Sequence, residues 1–167
     1  MQNDRVAQKQ LYQNSRSYLM SVAYRYMKDI GIAQDVLQNG YIKIFKNLAE
    51  FSPSKGLFKN WAARIIVNEA LQIKRQRREL EISEDTEIVE AYTHIPALDK
   101  MTIEELSRVI DTLPSVHRII LNMYYFEEYT HQEIAAILNI KSSSSRAQLS
   151  KARKLLQKKW KAYNQAI

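Results

Sequence analysis

Apolar residues recur at three- and four-residue spacing along most of the chain, the period of an α-helix with one buried face. From about Gln8 to Met27, the residues Leu11, Tyr18, Leu19, Val22 and Tyr26 fall on one such face. Asp29 is placed to cap a second helix, because its carboxylate is suited to accepting from the free amides of a first turn. That helix carries Ala33, Val36, Leu37, Tyr41, Ile44 and Leu48. The stretch FSPSKG, residues 51–56, breaks the pattern with Pro53 and Gly56. A third helix then carries Leu57, Trp61, Ile65, Asn68 and Ile73 and ends in the run KRQRR, Lys74 to Arg78.

Residues 79–100 lose the periodicity, turn acidic and contain Pro96. They read as a tether, with a short helical piece around Ile88 to Tyr92. Periodicity resumes at Thr102-Ile-Glu-Glu105, a capping box in which the threonine hydroxyl and the glutamate each satisfy an end amide. Ile103, Leu106, Ile110 and Leu113 follow, and Pro114 suits the first turn of the next helix, where an amide needs no partner. That helix holds Val116, Ile119, Ile120 and Met123 and ends near Phe126. Thr130-His-Gln-Glu133 is a second capping box, opening a short helix with Ile134, Ala135 and Leu138 that Asn139 closes in the left-handed conformation. Ala147, Leu149, Ala152, Leu155 and Leu156 then recur at helical spacing up to Trp160. A short helix, a tight turn and a longer helix make the layout of a helix-turn-helix. The expected fold is therefore all-α: two small helical domains, 1–79 and 101–167, joined by an acidic linker, 80–100, with the helix-turn-helix in the second.

The chain has 167 residues, only three glycines and three prolines, and a net charge of +7. Charge is laid out in blocks. Residues 1–79 hold 14 Lys/Arg against 6 Asp/Glu, residues 80–112 hold 2 against 9, and residues 113–167 hold 9 against 3. Two basic blocks flanking an acidic one suggest two contacts with a polyanion, most simply nucleic acid. No cysteine is present, which excludes disulfides and thiolate zinc sites and fits a cytoplasmic setting. No apolar run approaches the roughly 18 residues of a membrane span, and the N-terminus MQNDRVAQKQ lacks the apolar core of a secretory signal.

The tract Ser142 to Ser145 stands where the last helix begins. Serine is poor within a helix but good at its start, and a helix start projects free amides with partial positive charge. Small hydroxyl residues there let the helix approach a phosphate backbone or base edges closely. Arg146, Gln148, Lys151 and Arg153 follow, and arginine and glutamine suit guanine and adenine edges in the major groove. The tract reads as the front of a recognition helix. In the first domain, Phe45, Phe51, Phe58 and Trp61 surround the loop Ser52–Gly56 amid Lys46, Lys55, Lys59 and Arg64. Rings interleaved with cations suit single-stranded nucleic acid, whose bases stack on them; packing in a core is the other reading for Phe45 and Trp61. The four cations of KRQRR suit phosphate contact. Enzyme chemistry finds no support: His94, His117 and His131 are scattered, with no metal-binding spacing, glycine-rich phosphate loop or nucleophile motif. No cofactor, metal or small-molecule substrate is expected, and His131 reads as an ordinary surface residue.

In order and spacing, these segments resemble the extracytoplasmic-function subfamily of bacterial RNA polymerase sigma factors. DIGIAQDVLQNGYIKIF resembles the segment that docks on the polymerase clamp, and FKNWAARIIVNEALQIKRQRR the promoter-melting and start-proximal segment. LPSVHRIILNMYYFEEYTHQEIAAILNIKSSSSRAQLSKARKLL resembles the upstream-element reader. The resemblance implies that Asp35, Gln38, Asn39 and Tyr41 touch core polymerase. It implies that the start-proximal element, duplex and non-template single strand, is met by Phe51, Ser52, Lys55, Phe58, Lys59, Asn60, Trp61, Arg64, Asn68, Lys74 and Arg75. Ser142, Ser143, Ser144, Arg146, Ala147, Gln148 and Lys151 would enter the major groove upstream. An anti-sigma factor is the further partner implied. The chain departs from the family at Ser143, where glycine is frequent, at Ser145, where a buried valine is, and at Gln72, where an acidic residue is. The competing readings are a conventional helix-turn-helix regulator, which predicts tight binding to a palindromic site without polymerase, and a helical or RNA-associated adaptor, which predicts salt-sensitive binding indifferent to sequence.

Overall fold

The computed structural model describes residues 5–77 and 103–165. The predicted tether, the capping box begun by Thr102 and Arg78 of the basic run lie outside the described residues. The chain divides into two units, Met1–Leu80 and Glu81–Ile167. All regular structure among the described residues is helical.

In the first unit, α1 (Arg5–Met27), α2 (Ile30–Lys46) and α3 (Phe58–Gln76) pack against one another pairwise. Asp29 caps α2 as expected, its side chain accepting from the amide of Ile32 at 2.8 Å. The predicted face of α2 is buried as far as Ile44, with Gly40 added to Ala33, Val36, Leu37, Tyr41 and Ile44; Leu48, expected on the same helix, lies past its end and is half-buried. Gly40 leaves room for the buried Ile66 side chain of α3: a β-carbon there would lie 2.2 Å from Ile66 Cδ1. Two short 3-10 turns, Leu48–Glu50 and Pro53–Lys55, carry the chain from α2 to α3.

The inward face of α3 differs from the one read from the sequence. Leu57 is 62% exposed, and Asn68 is exposed too. The buried set is instead Ala62, Ala63, Ile66, Val67, Ala70 and Leu71. Both stripes have helical spacing. The small alanines win because they allow α1 and α2 to approach α3 closely, and larger side chains on the other stripe are left to the rim. In α1, Leu19, Val22 and Tyr26 face the core as expected, while Tyr18 is 37% exposed.

The second unit contains α4 (Ile103–Asp111), α5 (Ser115–Tyr125), α6 (His131–Leu138) and α7 (Ser142–Gln165). Pro114 stands one residue earlier than expected, as the residue before α5 rather than within it. The second capping box is complete: the Thr130 hydroxyl accepts from the Glu133 amide, and the Glu133 carboxylate accepts from the Thr130 amide at 2.8 Å. Asn139 ends α6 in the left-handed conformation, with φ 55°. Helix α7 packs against α4, α5 and α6, burying Ala147, Leu149, Ala152, Leu156 and Trp160.

Candidate nucleic-acid and polymerase interfaces

Around the loop of the first unit, three rings close on one another. Phe51 and Phe58 meet edge to face with centroids 5.5 Å apart, and Trp61 lies 5.5 Å from Phe51 and 5.7 Å from Phe58. All three are half-buried, so each ring offers part of its surface outward while the cluster fixes its orientation. Phe45 is not among them; it stacks on Tyr41 instead, at 5.8 Å. The loop between the rings is shaped by Gly56, whose φ of 143° is closed to most side chains, and by a 2.8 Å hydrogen bond between the Ser52 and Ser54 hydroxyls. Lys55 and Lys59 are exposed beside the rings, and Asn60 and Arg64 are half-buried. Asn68 and Arg75 face solvent farther along α3. This arrangement can hold an unstacked base against rings while cations hold its backbone.

Lys74 is a correction to the sequence reading. It is 5% exposed, because the helical stripe that buries Val67, Ala70 and Leu71 runs through it. Its ammonium is therefore not presented to a phosphate, and Arg75 and Arg77 are the exposed cations of that helix end.

On α2, Asp35, Gln38 and Asn39 stand exposed and line a shallow polar cleft with Gln72, Ile73, Gln76 and Arg77 of α3. Along its rim, Lys43 pairs with Glu69, a carboxylate that is 7% exposed. Tyr41, grouped with the contact residues by the family resemblance, is 4% exposed and turns toward α1 instead. Its hydroxyl lies 2.8 Å from that of Ser15, and its ring centroid lies 4.7 Å from that of Tyr12. Burial raises its pKa above the usual tyrosine value, against the lowering effect of the Ser15 hydrogen bond. Tyr41 thus joins α2 to α1 and is not available to a partner's surface.

In the second unit, the start of α7 carries two faces. Ser143 and Arg146 are exposed, and Ser142 and Lys151 are half-buried. An Arg146 guanidinium nitrogen donates to Ser142 Oγ at 3.0 Å, so the arginine is held beside the helix start. Ser144, Ala147 and Gln148, predicted to reach DNA, are buried at 0%, 3% and 3% exposure. A side chain sealed within the unit cannot meet a base edge, so of the residues expected in the groove only Ser142, Ser143, Arg146 and Lys151 remain at the surface. Ala147 also stands on the apolar stripe of the helix, where spacing predicts burial; for Ser144 and Gln148 the sequence could not show it, because three helices close on α7 rather than one.

His131 was also misread as surface. It is half-buried, its Nδ1 lies 2.9 Å from Ser145 Oγ, and its ring stacks on Tyr124 with centroids 4.9 Å apart. Burial lowers its pKa below the usual histidine value, with Arg146 and Arg153 adding to the effect. His117 is lowered as well, by burial first and then by Lys151. Arg153 lies over the rings of Tyr124 and Tyr125, and its Nε donates to the Tyr125 hydroxyl at 2.8 Å. The one signal for this network was Ser145 itself, a hydroxyl at a position that helical spacing turns inward and that therefore needs a partner. Among the described residues no cluster of His, Cys, Asp or Glu could hold a metal ion, and no helix is long and apolar enough to cross a membrane.

Comparison with known proteins accounts for both units. Sigma-70 region 2 matches residues 11–79, and Sigma-70 region 4 matches residues 103–156. The ECF RNA polymerase sigma factor SigM of Bacillus subtilis is 26% identical over 144 residues, covering 82% of this chain and 87% of that protein. The ECF RNA polymerase sigma-E factor of Haemophilus influenzae is 28% identical over 161 residues, covering 89% and 82%. SigE of Mycolicibacterium smegmatis is 26% identical over 144 residues, and there this chain spans 54% of the relative's length. Among solved structures, the sigma factor RpoE of Bartonella quintana, in complex with the anti-sigma factor NepR, shares the fold at TM-score 0.58 and 21% identity, covering 92% of this chain and 96% of that one. With both regions matched in order and relatives aligned along most of its length, this chain belongs to the extracytoplasmic-function group of sigma-70 RNA polymerase sigma factors.

Proposed function

We propose that this sigma factor divides promoter addressing between its two units, with core polymerase supplying the catalysis. The observation that carries the proposal is the separation of its exposed chemistry. Asp35, Gln38 and Asn39 offer a polar face on α2, the Phe51–Phe58–Trp61 cluster lies at the start of α3, and Ser142, Ser143 and Arg146 mark the front of α7. In this reading the α2 face docks on the polymerase clamp. The ring cluster captures a base of the non-template strand, with Lys55, Lys59 and Arg64 against the backbone. The start of α7 enters the major groove of the upstream element, and Lys151 meets phosphate.

Two modest readers on one tether gain avidity only when both sites lie at the spacing the tether permits. Polymerase fixes that spacing, so the free chain binds promoters weakly. Charge supports the same picture: basic blocks at either end suit contact with DNA, and the acidic block between them does not. The work is that of a cytoplasmic protein. The pairing of RpoE with an anti-sigma factor supports restraint of this chain by a comparable inhibitor.

The test is transcription in vitro from supercoiled genomic DNA with bacterial core polymerase, with and without this protein. New start sites are expected only with both. Arg146→Ala should impair use of the upstream element and leave core binding intact, and Asp35→Ala should do the reverse. Tight, specific promoter binding by the free chain would instead favour a conventional regulator.

A further inference from the structure

Ser145 lies one turn inside α7 and is fully buried. A hydroxyl sealed among packed helices needs a hydrogen-bond partner, and His131 Nδ1, 2.9 Å away, is that partner. The imidazole is itself held on two sides. It is the first residue of α6, fixed along the axis by the Thr130–Glu133 capping box, and its ring stacks on Tyr124 of α5 with an interplanar angle of 26°. Arg153 of α7 closes the circuit over Tyr124 and bonds Tyr125. Rings and polar contacts thus tie α5, α6 and α7 together at the point where α7 starts.

We propose that His131 is a positioning residue for promoter reading: clamped on Tyr124, it holds Ser145 and so aims the first turn of α7. This rests on the assignment of α7 as the upstream reader. The physical reason is directionality. Apolar contacts tolerate rotation of a helix about its axis, whereas a hydrogen bond is lost outside a narrow range of distance and angle. Arg146 follows Ser145 immediately and Ser143 stands two residues before it, so the rotation that keeps the bond also fixes where both point.

The arrangement depends on a neutral ring. The groups facing His131 are Arg146 and Arg153 from α7 and Tyr124 from α5; Glu133 of its own helix is committed to the Thr130 amide, and Glu128 lines the same hollow from the loop before α6. Protonation would put a third cation beside two arginines in a half-buried site. Because the folded-state pKa is lowered, the neutral ring's contribution is fully present above about 6.5, the unperturbed histidine value, and is lost as pH falls below it.

The experiment uses holoenzyme reconstituted with core polymerase and measures footprint occupancy at the upstream element. His131→Phe keeps the stack and removes Nδ1, and Ser145→Ala removes the hydroxyl. Each should weaken occupancy about fivefold, the scale of one hydrogen bond, and the double variant should be no weaker than either alone. Wild-type occupancy should hold from pH 7.5 to about 6.5 and fall below it, and the fall should be smaller in His131→Phe, the remainder belonging to His117. Additive losses, or an unchanged pH profile in His131→Phe, overturn the proposal. If His131→Phe does not fold, His131→Asn keeps a polar atom near the place of Nδ1 but does not titrate: retained occupancy with a shallower profile supports the proposal, and a wild-type profile overturns it. Arg146→Ala in parallel separates the two levels. A footprint indifferent to it overturns the reader assignment and the positioning role together. A footprint lost with it, alongside additive losses at His131 and Ser145, overturns the positioning role alone.

Discussion

Replacing Thr130 with alanine tests whether the helix-turn-helix is held up by its capping box. The hydroxyl accepts from the Glu133 amide at 3.2 Å, and the Glu133 carboxylate bonds both the Thr130 amide and its hydroxyl, at 2.8 Å and 2.9 Å. Alanine removes the first and third of these and leaves the second. Loss of an N-cap hydroxyl costs about 1 kcal/mol, and for a unit of this size that lowers its melting temperature by about 4–8 °C. The chain carries its own reporters. Of its two tryptophans, Trp61 lies in the first unit and Trp160, 5% exposed, in the second. In a Trp61→Phe background, fluorescence follows the second unit within the full chain; a Trp160→Phe background follows the first. Thr130→Ala should lower the Trp160 transition and leave the Trp61 transition in place, and Thr130→Ser should restore most of the loss. A Trp160 transition unmoved by Thr130→Ala would refute the reasoning, since the hydroxyl would then be replaceable by water at no cost.

Three further outcomes are expected. Tyr41→Phe removes the hydroxyl's bonds to Ser15 and to the Tyr12 carbonyl and should cost about 1–2 kcal/mol of first-unit stability, leaving core-polymerase affinity unchanged at a temperature where the unit is folded; a specific loss of affinity would return Tyr41 to the contact surface. Lys43→Met should destabilise the first unit more than Glu69→Gln, because it strands a carboxylate with 8% side-chain exposure, whereas the lysine, 47% exposed, can turn to water. We expect about 2 kcal/mol against less than about 1, read by denaturant titration of Trp61 fluorescence. The Trp160 transition should fall between pH 7 and 5.5 while the Trp61 transition holds: His117 and His131 both have lowered pKa values and sit in the second unit, and the first unit contains no histidine. Their neutral forms stabilise above about 6.5 and that contribution is lost as pH falls; His117→Gln should flatten part of the slope.

Helix ends were legible because their chemistry is local. Asp29, the Thr130–Glu133 pair and Asn139 each act on backbone within a few residues, so the sequence alone carries both the group and its target. The helices of the described residues and the helix-turn-helix followed from spacing in the same way, and the order of segments identified the sigma-factor family. Which side of each helix turns inward is another kind of question, because it depends on what packs against it. The stripes Trp61–Ile65–Asn68 and Ala62–Ile66–Ala70 of α3 have similar spacing, and only the close approach of α1 and α2 chose the second. The same cause turned Lys74, Ser144 and Gln148 to the interior, and for Tyr41 and Ala147 it decided between the apolar stripe and the partner-facing role. It also joined His131 to Ser145 across 14 residues. A hydrogen bond within one turn is written in adjacent letters, but burial and long-range pairing belong to several helices at once and exist only when the helices have packed.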